Sequence, residues 1–298
     1  MSGSFTSKNL RFTFTLANNA KFQGTNSNVL QVSGLRATAS IKGAGLPAFP
    51  EAILSLYGLL QADMNALTAL QFQPLSMLRN TVVVEADSEG TGNFSTVFSG
   101  QIITAGPDYD SVPDVPLRMT ARVLGFESLN PATATSYTGP TSVATIVNAL
   151  ASKMGYVFEN NGVNVQLSSP YFSGTLAEQL RTVKQQAGID VYIEDNVIAI
   201  CPPGGVRNQQ TFVLTPSSGL VNRPKLDYNR GYVYAKSRYN AGFRFGGPLT
   251  LQGSDVPMAN GSWVIGTISH DLDSFVLSSP KWFTDVLLYP AGNPPPIS

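Results

Sequence analysis

The sequence predicts an α+β, mainly β, fold in which two strand-rich regions flank a small helix–hairpin domain. Three patterns carry that expectation. In residues 1–130 and 205–298, apolar and polar residues alternate with the period of two of a half-buried strand. In residues 131–204, two segments repeat apolar residues at helical spacing and stop at Gly155 and Gly188. Clusters of Gly, Pro, Asn and Asp punctuate the runs.

Taken in order, Leu10, Phe12, Phe14 and Leu16 alternate with Arg11, Thr13 and Thr15 as the first strand. Leu35, Ala37, Ala39 and Ile41 repeat the pattern up to the break at Gly43-Ala44-Gly45-Leu46-Pro47. The run from Glu51 to Leu60, followed by a pattern from Met64 to Leu70, predicts a helical insertion at about 50–70. Strands resume at Thr81–Glu85 and Phe94–Thr104, a hairpin across Gly90-Thr91-Gly92-Asn93. Leu117, Met119, Ala121 and Val123 mark a further strand.

In the middle region, Pro140-Thr141-Ser142 starts a helix whose inward face is Val143, Ile146, Val147, Leu150 and Met154. Tyr156–Phe158 and Val163–Leu167 are expected to pair across Asn160-Asn161-Gly162. A second unit repeats the plan. Thr175-Leu176-Ala177-Glu178 is a capping box, Leu176, Leu180, Val183 and Ala187 face inward, and Asp190–Ile193 pairs with Val197–Ile200 across Asp195-Asn196. Pro202-Pro203-Gly204-Gly205 links to strands at Thr211–Thr215, Tyr232–Arg238, Leu249–Gln252, Ser262–Ser269 and Trp282–Leu288. Pro290 to Ser298, with its Pro294-Pro295-Pro296 run, is expected to be an extended tail.

Only 13% of the 298 residues are charged, about half the usual share. No stretch approaches the roughly 18 apolar residues of a membrane span. Two explanations stand: other subunits cover the surface, or a monomeric β protein presents Ser, Thr, Asn and Gln. Net charge is zero but uneven. Residues 1–50 hold Lys8, Arg11, Lys21, Arg36 and Lys42 and no acid, whereas residues 51–222 hold fourteen acids against seven bases. The N-terminal residues show no signal-peptide pattern.

Catalytic chemistry finds little support. His270 is the single histidine, and its neighbours Ser269 and Asp271 point to the opposite strand face, so the three form no triad among themselves. No nucleophile elbow, phosphate loop or zinc-protease helix occurs. The single cysteine, Cys201, excludes an internal disulfide framework and reads as a buried thiol. Asp108, Asp110 and Asp114, and likewise Glu85, Asp87 and Glu89, could hold Ca²⁺ through oxygen but read more simply as turn acids. The expectation is therefore no enzyme, no cofactor and no metal.

The segment from Arg223 to Arg244 is the candidate interaction site. Arg223, Lys225, Arg230, Lys236, Arg238 and Arg244 are interleaved with Tyr228, Tyr232, Tyr234, Tyr239 and Phe243. Tyr232, Tyr234, Lys236 and Arg238 fall on one strand face. Basic residues with aromatics suit a single-stranded nucleic-acid platform, and equally a face that packs on another subunit or lines a channel. The second reading is preferred, because the net charge is zero and the basic run is short.

The sequence resembles the baseplate hub proteins of contractile-tailed bacteriophages, the late control D-like tail hub family. The residues that carry the resemblance are Phe98-Ser99-Gly100-Gln101-Ile102-Ile103-Thr104-Ala105 with Val112–Leu117, the region Thr141–Pro203, Leu214-Thr215-Pro216 through Pro224, and Ala259-Asn260-Gly261-Ser262-Trp263 through His270. The resemblance implies that residues 1–130 and 205–298 are two β-barrel-like domains similar to tail-tube subunits. It further implies a homotrimeric ring joining the hexameric tail tube to the trimeric central spike, with other baseplate proteins as neighbours and viral DNA passing through the channel. The expected location is the virion, after assembly in the host cytoplasm and without membrane insertion. No lysozyme-like, peptidase-like or LysM-like appendage is evident, so cell-wall activity is expected to sit elsewhere. Two alternatives remain at this stage: a carbohydrate-binding or carbohydrate-cleaving β protein, and a nucleic-acid-binding module.

Overall fold

Leu10, Phe12 and Phe14 are buried while Arg11, Thr13 and Thr15 are half-buried, so the first strand forms as its alternation requires. A computed structural model describes residues 8–17, 20–68 and 79–292. The chain divides into two units: Met1–Ile41, Glu51–Phe126 and His270–Phe283 form the first, and Lys42–Pro50, Glu127–Ser269 and Thr284–Ser298 form the second. The architecture is α+β and mainly β, with large antiparallel sheets.

Unit 1 is built from β1 (Asn9–Thr15), β2 (Val29–Ser33), β3 (Ala37–Ala44, its last three residues in unit 2), β4 (Glu51–Tyr57), α1 (Gln61–Leu67), β5 (Thr81–Asp87), β6 (Ser95–Pro107) and β7 (Pro116–Arg122). The strand order is β3-β4-β7-β6-β5-β1-β2. Alternate residues fill the core: Leu10, Phe12 and Phe14 from β1, Val82 and Val84 from β5, Leu54 and Leu56 from β4, and Leu117 and Met119 from β7. The expected hairpin of β5 and β6 is present, with a register shift after Val84. The barrel implied by the resemblance is not closed by any strand ladder among the described residues. A side chain bridges part of this unit instead: Ser274 Oγ accepts from Leu10 N–H at 3.3 Å and donates to the Leu35 carbonyl at 3.1 Å.

The helical insertion expected at about 50–70 is corrected for its first half. Glu51–Tyr57 is a strand, paired residue for residue with Arg122–Pro116. The period is two: Ala52, Leu54 and Leu56 are buried, whereas Ile53 is 56% exposed. Ile53 makes the run look apolar throughout, which hides the alternation. The second half holds, since α1 buries Met64 and Leu67. The remainder of that pattern, Ala69 and Leu70, lies outside the described residues, as does the Pro294–Pro296 run.

Unit 2 contains β8 (Thr135–Ser136), β9 (Pro140–Ser142), α2 (Val143–Met154), β10 (Val157–Asn160), β11 (Gln166–Ser168), β12 (Tyr171–Phe172), α3 (Leu176–Ala187), β13 (Asp190–Glu194) and β14 (Val197–Cys201). It continues with β15 (Phe212–Leu214), β16 (Lys225–Asp227), β17 (Tyr232–Arg238), β18 (Pro248–Leu251), and most of β19 (Gly261–Ser274) and β20 (Trp282–Tyr289). Both helices are capped as expected. Ser142 Oγ accepts from Thr145 N–H, Thr175 and Glu178 form the reciprocal box, and Gly155 and Gly188 take left-handed φ of 78° and 60°. Asp195 and Asn196, at φ 47° and 61°, turn β13 into β14 as a two-residue hairpin.

The other expected hairpin does not form. β10 pairs parallel with β14, Phe158 opposite Ile198, while β11 pairs with β9. The turn itself is present, held by Asn160, which donates to Val163 O and accepts from Val163 N–H. Beyond it only Val163 is well buried, and Val165 is 36% exposed, so little apolar surface would hold the two arms together. The edge of β14 offers β10 a better partner.

The β sheet of this unit runs β16-β17-β20-β19, with β18 beside β19 and β15 parallel to β18. One core joins this sheet to the helix–hairpin region. Tyr192, Ala199 and Cys201 pack with Leu214, Val233, Ala235, Leu249, Leu251, Ile265 and Val286. Gly246 permits the approach: its φ is +70°, and a Cβ there would meet the Tyr192 ring at 2.6 Å.

Candidate functional site

β17 carries the basic and aromatic residues, and its pleat sorts them. Val233, Ala235 and Ser237 point into the core, while Tyr234, Lys236 and Arg238 point out. β16 adds Lys225 directly opposite Tyr234. The segment leading into β16 is tied alongside, since Val221 N–H donates to Lys236 O at 2.8 Å. With Thr267 and Ser269 of β19 and Asp285 and Leu287 of β20, Arg223, Lys225, Tyr234 and Lys236 line an open trough of about 390 Å³. A smaller hollow of about 210 Å³ shares Asn222 and Arg223 with it.

Three cations, Arg223, Lys225 and Lys236, line the trough against one carboxylate, Asp285. Lys236 Nζ meets Asp285 at 3.0 Å, and Arg223 meets Asp255 at 3.1 Å. The Arg223–Asp255 pair is solvent-exposed and the Lys236–Asp285 pair is half-buried, so water screens the first more than the second. The side chains of Lys225, Arg230 and Arg238 have no ionic partner among the described residues and are exposed.

The eight predicted site residues therefore do not all converge. Arg223, Lys225, Tyr234 and Lys236 share the trough, and Arg238 extends its row along β17. Arg230 sits in the turn between β16 and β17. Arg244 lies apart, paired with Asp195 at 3.0 Å and donating to the Ala241 carbonyl at 2.8 Å. Tyr232 is 4% exposed and packs with Val264 and Tyr289, so it anchors the strand and does not reach the trough. Tyr239 and Phe243 are buried as well, which breaks the aromatic row.

The residues weighed for chemistry are placed as structural groups. His270 is buried in β19. Cys201 is fully buried, and burial pushes its thiol up to about 12. Asp108 is held below the usual carboxylate range, first by Arg118, and also by Ser111 and the Asp110 N–H. Asp114 pairs with Arg36, and Glu85 with Arg11. Burial raises Asp87, but the N–H groups of Gly92, Glu89, Thr91 and Gly90 outweigh it and lower its pKa. Among the described residues no group of three or more His, Cys, Asp and Glu is placed to hold a metal ion.

Sequence reasoning missed one ionic centre. Arg207, only 3% exposed, donates to Glu159 at 2.9 Å, to Glu194, and to the Phe245 carbonyl at 3.2 Å. Burial lifts Glu194 to about 7 against the pull of Arg207 and Arg244, while the bond from Arg207 lowers Glu159. Nothing local marks these residues, since the partners lie 48 and 13 positions apart.

The family described as "Baseplate hub gp41" matches residues 10–276. No curated protein matches the chain. The fold is similar to the tail protein from Neisseria meningitidis MC58, at 11% identity and a TM-score of 0.61, covering 95% of this chain and 97% of that one. It is also similar to the 43 kDa tail protein of prophage MuSo2 from Shewanella oneidensis, at 10% identity and a TM-score of 0.58, covering 94% and 98%. A third structure is the E. coli c3393 protein, a component of the type VI secretion system, at 10% identity and a TM-score of 0.60, covering 93% and 76%. At these identities the likeness is one of fold. The family match spans nearly the whole described chain, and the chain belongs to the baseplate hub gp41 family.

Proposed function

We propose that this chain is a structural hub subunit of a contractile phage tail, incorporated into the virion baseplate after assembly in the host cytoplasm. Three copies close a ring that joins the hexameric tail tube to the trimeric central spike, beside other baseplate proteins, and viral DNA passes through its channel. The strand-rich regions 1–130 and 205–298, which flank 131–204 in sequence, supply the two tube-like modules. The family match across residues 10–276 is the observation that carries this reading. The low charge content supports it, because a ring subunit covers much of its surface with neighbours. No catalytic step is assigned to the chain. Arg223, Lys225, Arg230, Tyr234, Lys236, Arg238 and Arg244 serve at a subunit interface or along the channel.

Co-expression with the tube and spike proteins tests the proposal. A complex containing three copies of this chain between a six-fold and a three-fold partner is the expected result. A complex that forms equally well without this chain overturns it.

A further inference from the structure

The geometry points to an acidic, extended segment of a partner protein as the occupant of the trough on β16, β17, β19 and β20. This rests on the trough being a contact face of the hub. Charge favours an acidic occupant. Arg223, Lys225 and Lys236 line the trough against Asp285 alone, and Arg238 continues the row. Lys225 and Arg238 have no ionic partner among the described residues, so an incoming carboxylate displaces nothing to reach them. Arg223 is held by the exposed Asp255, which a charged partner can exchange, and the half-buried Asp285 leaves Lys236 open on its trough side.

Spacing favours an extended one. Lys236 and Arg238 are two positions apart on one strand face, about 6.6 Å along the strand. Carboxylates at alternate positions of an extended chain repeat at the same distance. The trough lacks a row of stacking faces. Of the aromatic residues in this stretch, Tyr232, Tyr239 and Phe243 are buried, Tyr228 is exposed after β16 but is not part of the lining, and only Tyr234 lines the trough. A single-stranded nucleic acid needs a row of stacking faces, so the same cations serve a carboxylate-bearing peptide better. The lining also includes Thr267, Ser269 and Leu287, a mix of small polar and apolar residues that suits a polypeptide.

The test is fluorescence anisotropy of the purified full chain with a labelled octapeptide of alternating Glu and Thr. Saturable binding is expected, with at least about tenfold weakening at high salt, as screening of exposed charges requires. The double variants Lys225→Glu/Arg238→Glu and Lys225→Gln/Arg238→Gln should each lose at least about tenfold in affinity while keeping the parent's melting curve. An isomeric peptide with its glutamates clustered at one end should bind more weakly. Absence of binding, equal binding by the Gln variant, or displacement of the peptide by an equal concentration of oligothymidine would each overturn the inference. The hub reading is tested separately, since complex formation with tube and spike is measured without the peptide.

Discussion

Arg207 holds Glu194 and a second carboxylate, Glu159, in one buried centre that ties β10, the end of β13 and the loop before β15 together. The guanidinium also reaches the Phe245 carbonyl, and the Phe245 N–H donates to Glu194 at 3.3 Å. Each of the three guanidinium nitrogens has an acceptor, and pairing of this kind is the condition under which a buried ionic group is tolerated. Removing the cation leaves two carboxylates in a site built for their neutralisation. Arg207→Met should therefore lower unfolding stability by about 3–5 kcal/mol, measured by denaturant titration. A loss within measurement error would show that the centre is not closed to water.

The same centre makes stability depend on pH. Unfolded glutamate titrates near 4.5, whereas burial pushes Glu194 to about 7. Between those values the folded chain holds a proton that the unfolded chain has released, so this residue's contribution is complete below pH 4.5 and fades as pH rises through 7. Asp195, raised by burial, acts in the same direction. Glu159, lowered by Arg207, acts oppositely and loses its contribution only in more acid solution. Glu194→Gln should match the parent near pH 5 and exceed it near pH 8, measured by thermal melting across pH. Parallel curves would rule out titration of Glu194 in that window.

Asp87 offers an opposite case in unit 1. Its carboxylate accepts from the N–H groups of Glu89, Gly90, Thr91 and Gly92, closing the turn between β5 and β6. The folded pKa is depressed, so the stability it supplies is present above the unfolded value and is lost as pH falls through the folded one. Asp87→Ala should cost about 1–3 kcal/mol, because several donors lose their acceptor together. Asp87→Asn, which keeps one acceptor oxygen, should cost less. Equal melting of all three proteins would refute the turn's role.

How far these features were legible in the sequence follows from how local their cause is. The caps at Ser142, Thr175, Gly155 and Gly188 and the Asp195-Asn196 turn rest on neighbouring residues, and they formed where expected. The strand at Glu51–Tyr57 was hidden because outward-facing Ile53 is apolar, so period and composition disagreed. The pairing of β10 with β14 was hidden because a turn fixes where the chain bends and not which edge it meets afterwards. At the candidate site, the face carrying Tyr234, Lys236 and Arg238 was readable from alternation. The burial of Tyr232 was not, since it depends on Val264 and Tyr289 of distant strands.

Leu180 tests the packing of α3. It is fully buried on the helix face that carries Ala177 and Val183. Leu180→Ala should destabilise by about 2–5 kcal/mol, the range for a leucine removed from a close-packed core. A fragment of residues 131–203 would expose Tyr192, Ala199 and Cys201, which in the whole chain pack against Leu214, Val233 and Leu249. It should melt well below a fragment of residues 127–292. Equal melting temperatures would mean that the shared core contributes little.

The basic strand separates folding from assembly. Lys236 and Arg238 both point away from the core of unit 2, and the Lys236–Asp285 pair is half-buried. Reversing both to glutamate should cost the isolated chain about 1 kcal/mol, the upper end of the range for pairs at a surface. Some of that cost arises because Glu at 236 would sit beside Asp285. Adding Asp285→Lys restores an opposite-sign pair and should return the melting temperature to that of the parent. It restores no positive charge at 236 or 238, so joining to tube or spike should stay impaired in the triple variant. Because charge matching acts mainly on encounter, the defect should appear as a slower association rate that converges with the parent's at high salt. Normal association by the triple variant at low salt would remove this strand from the assembly mechanism.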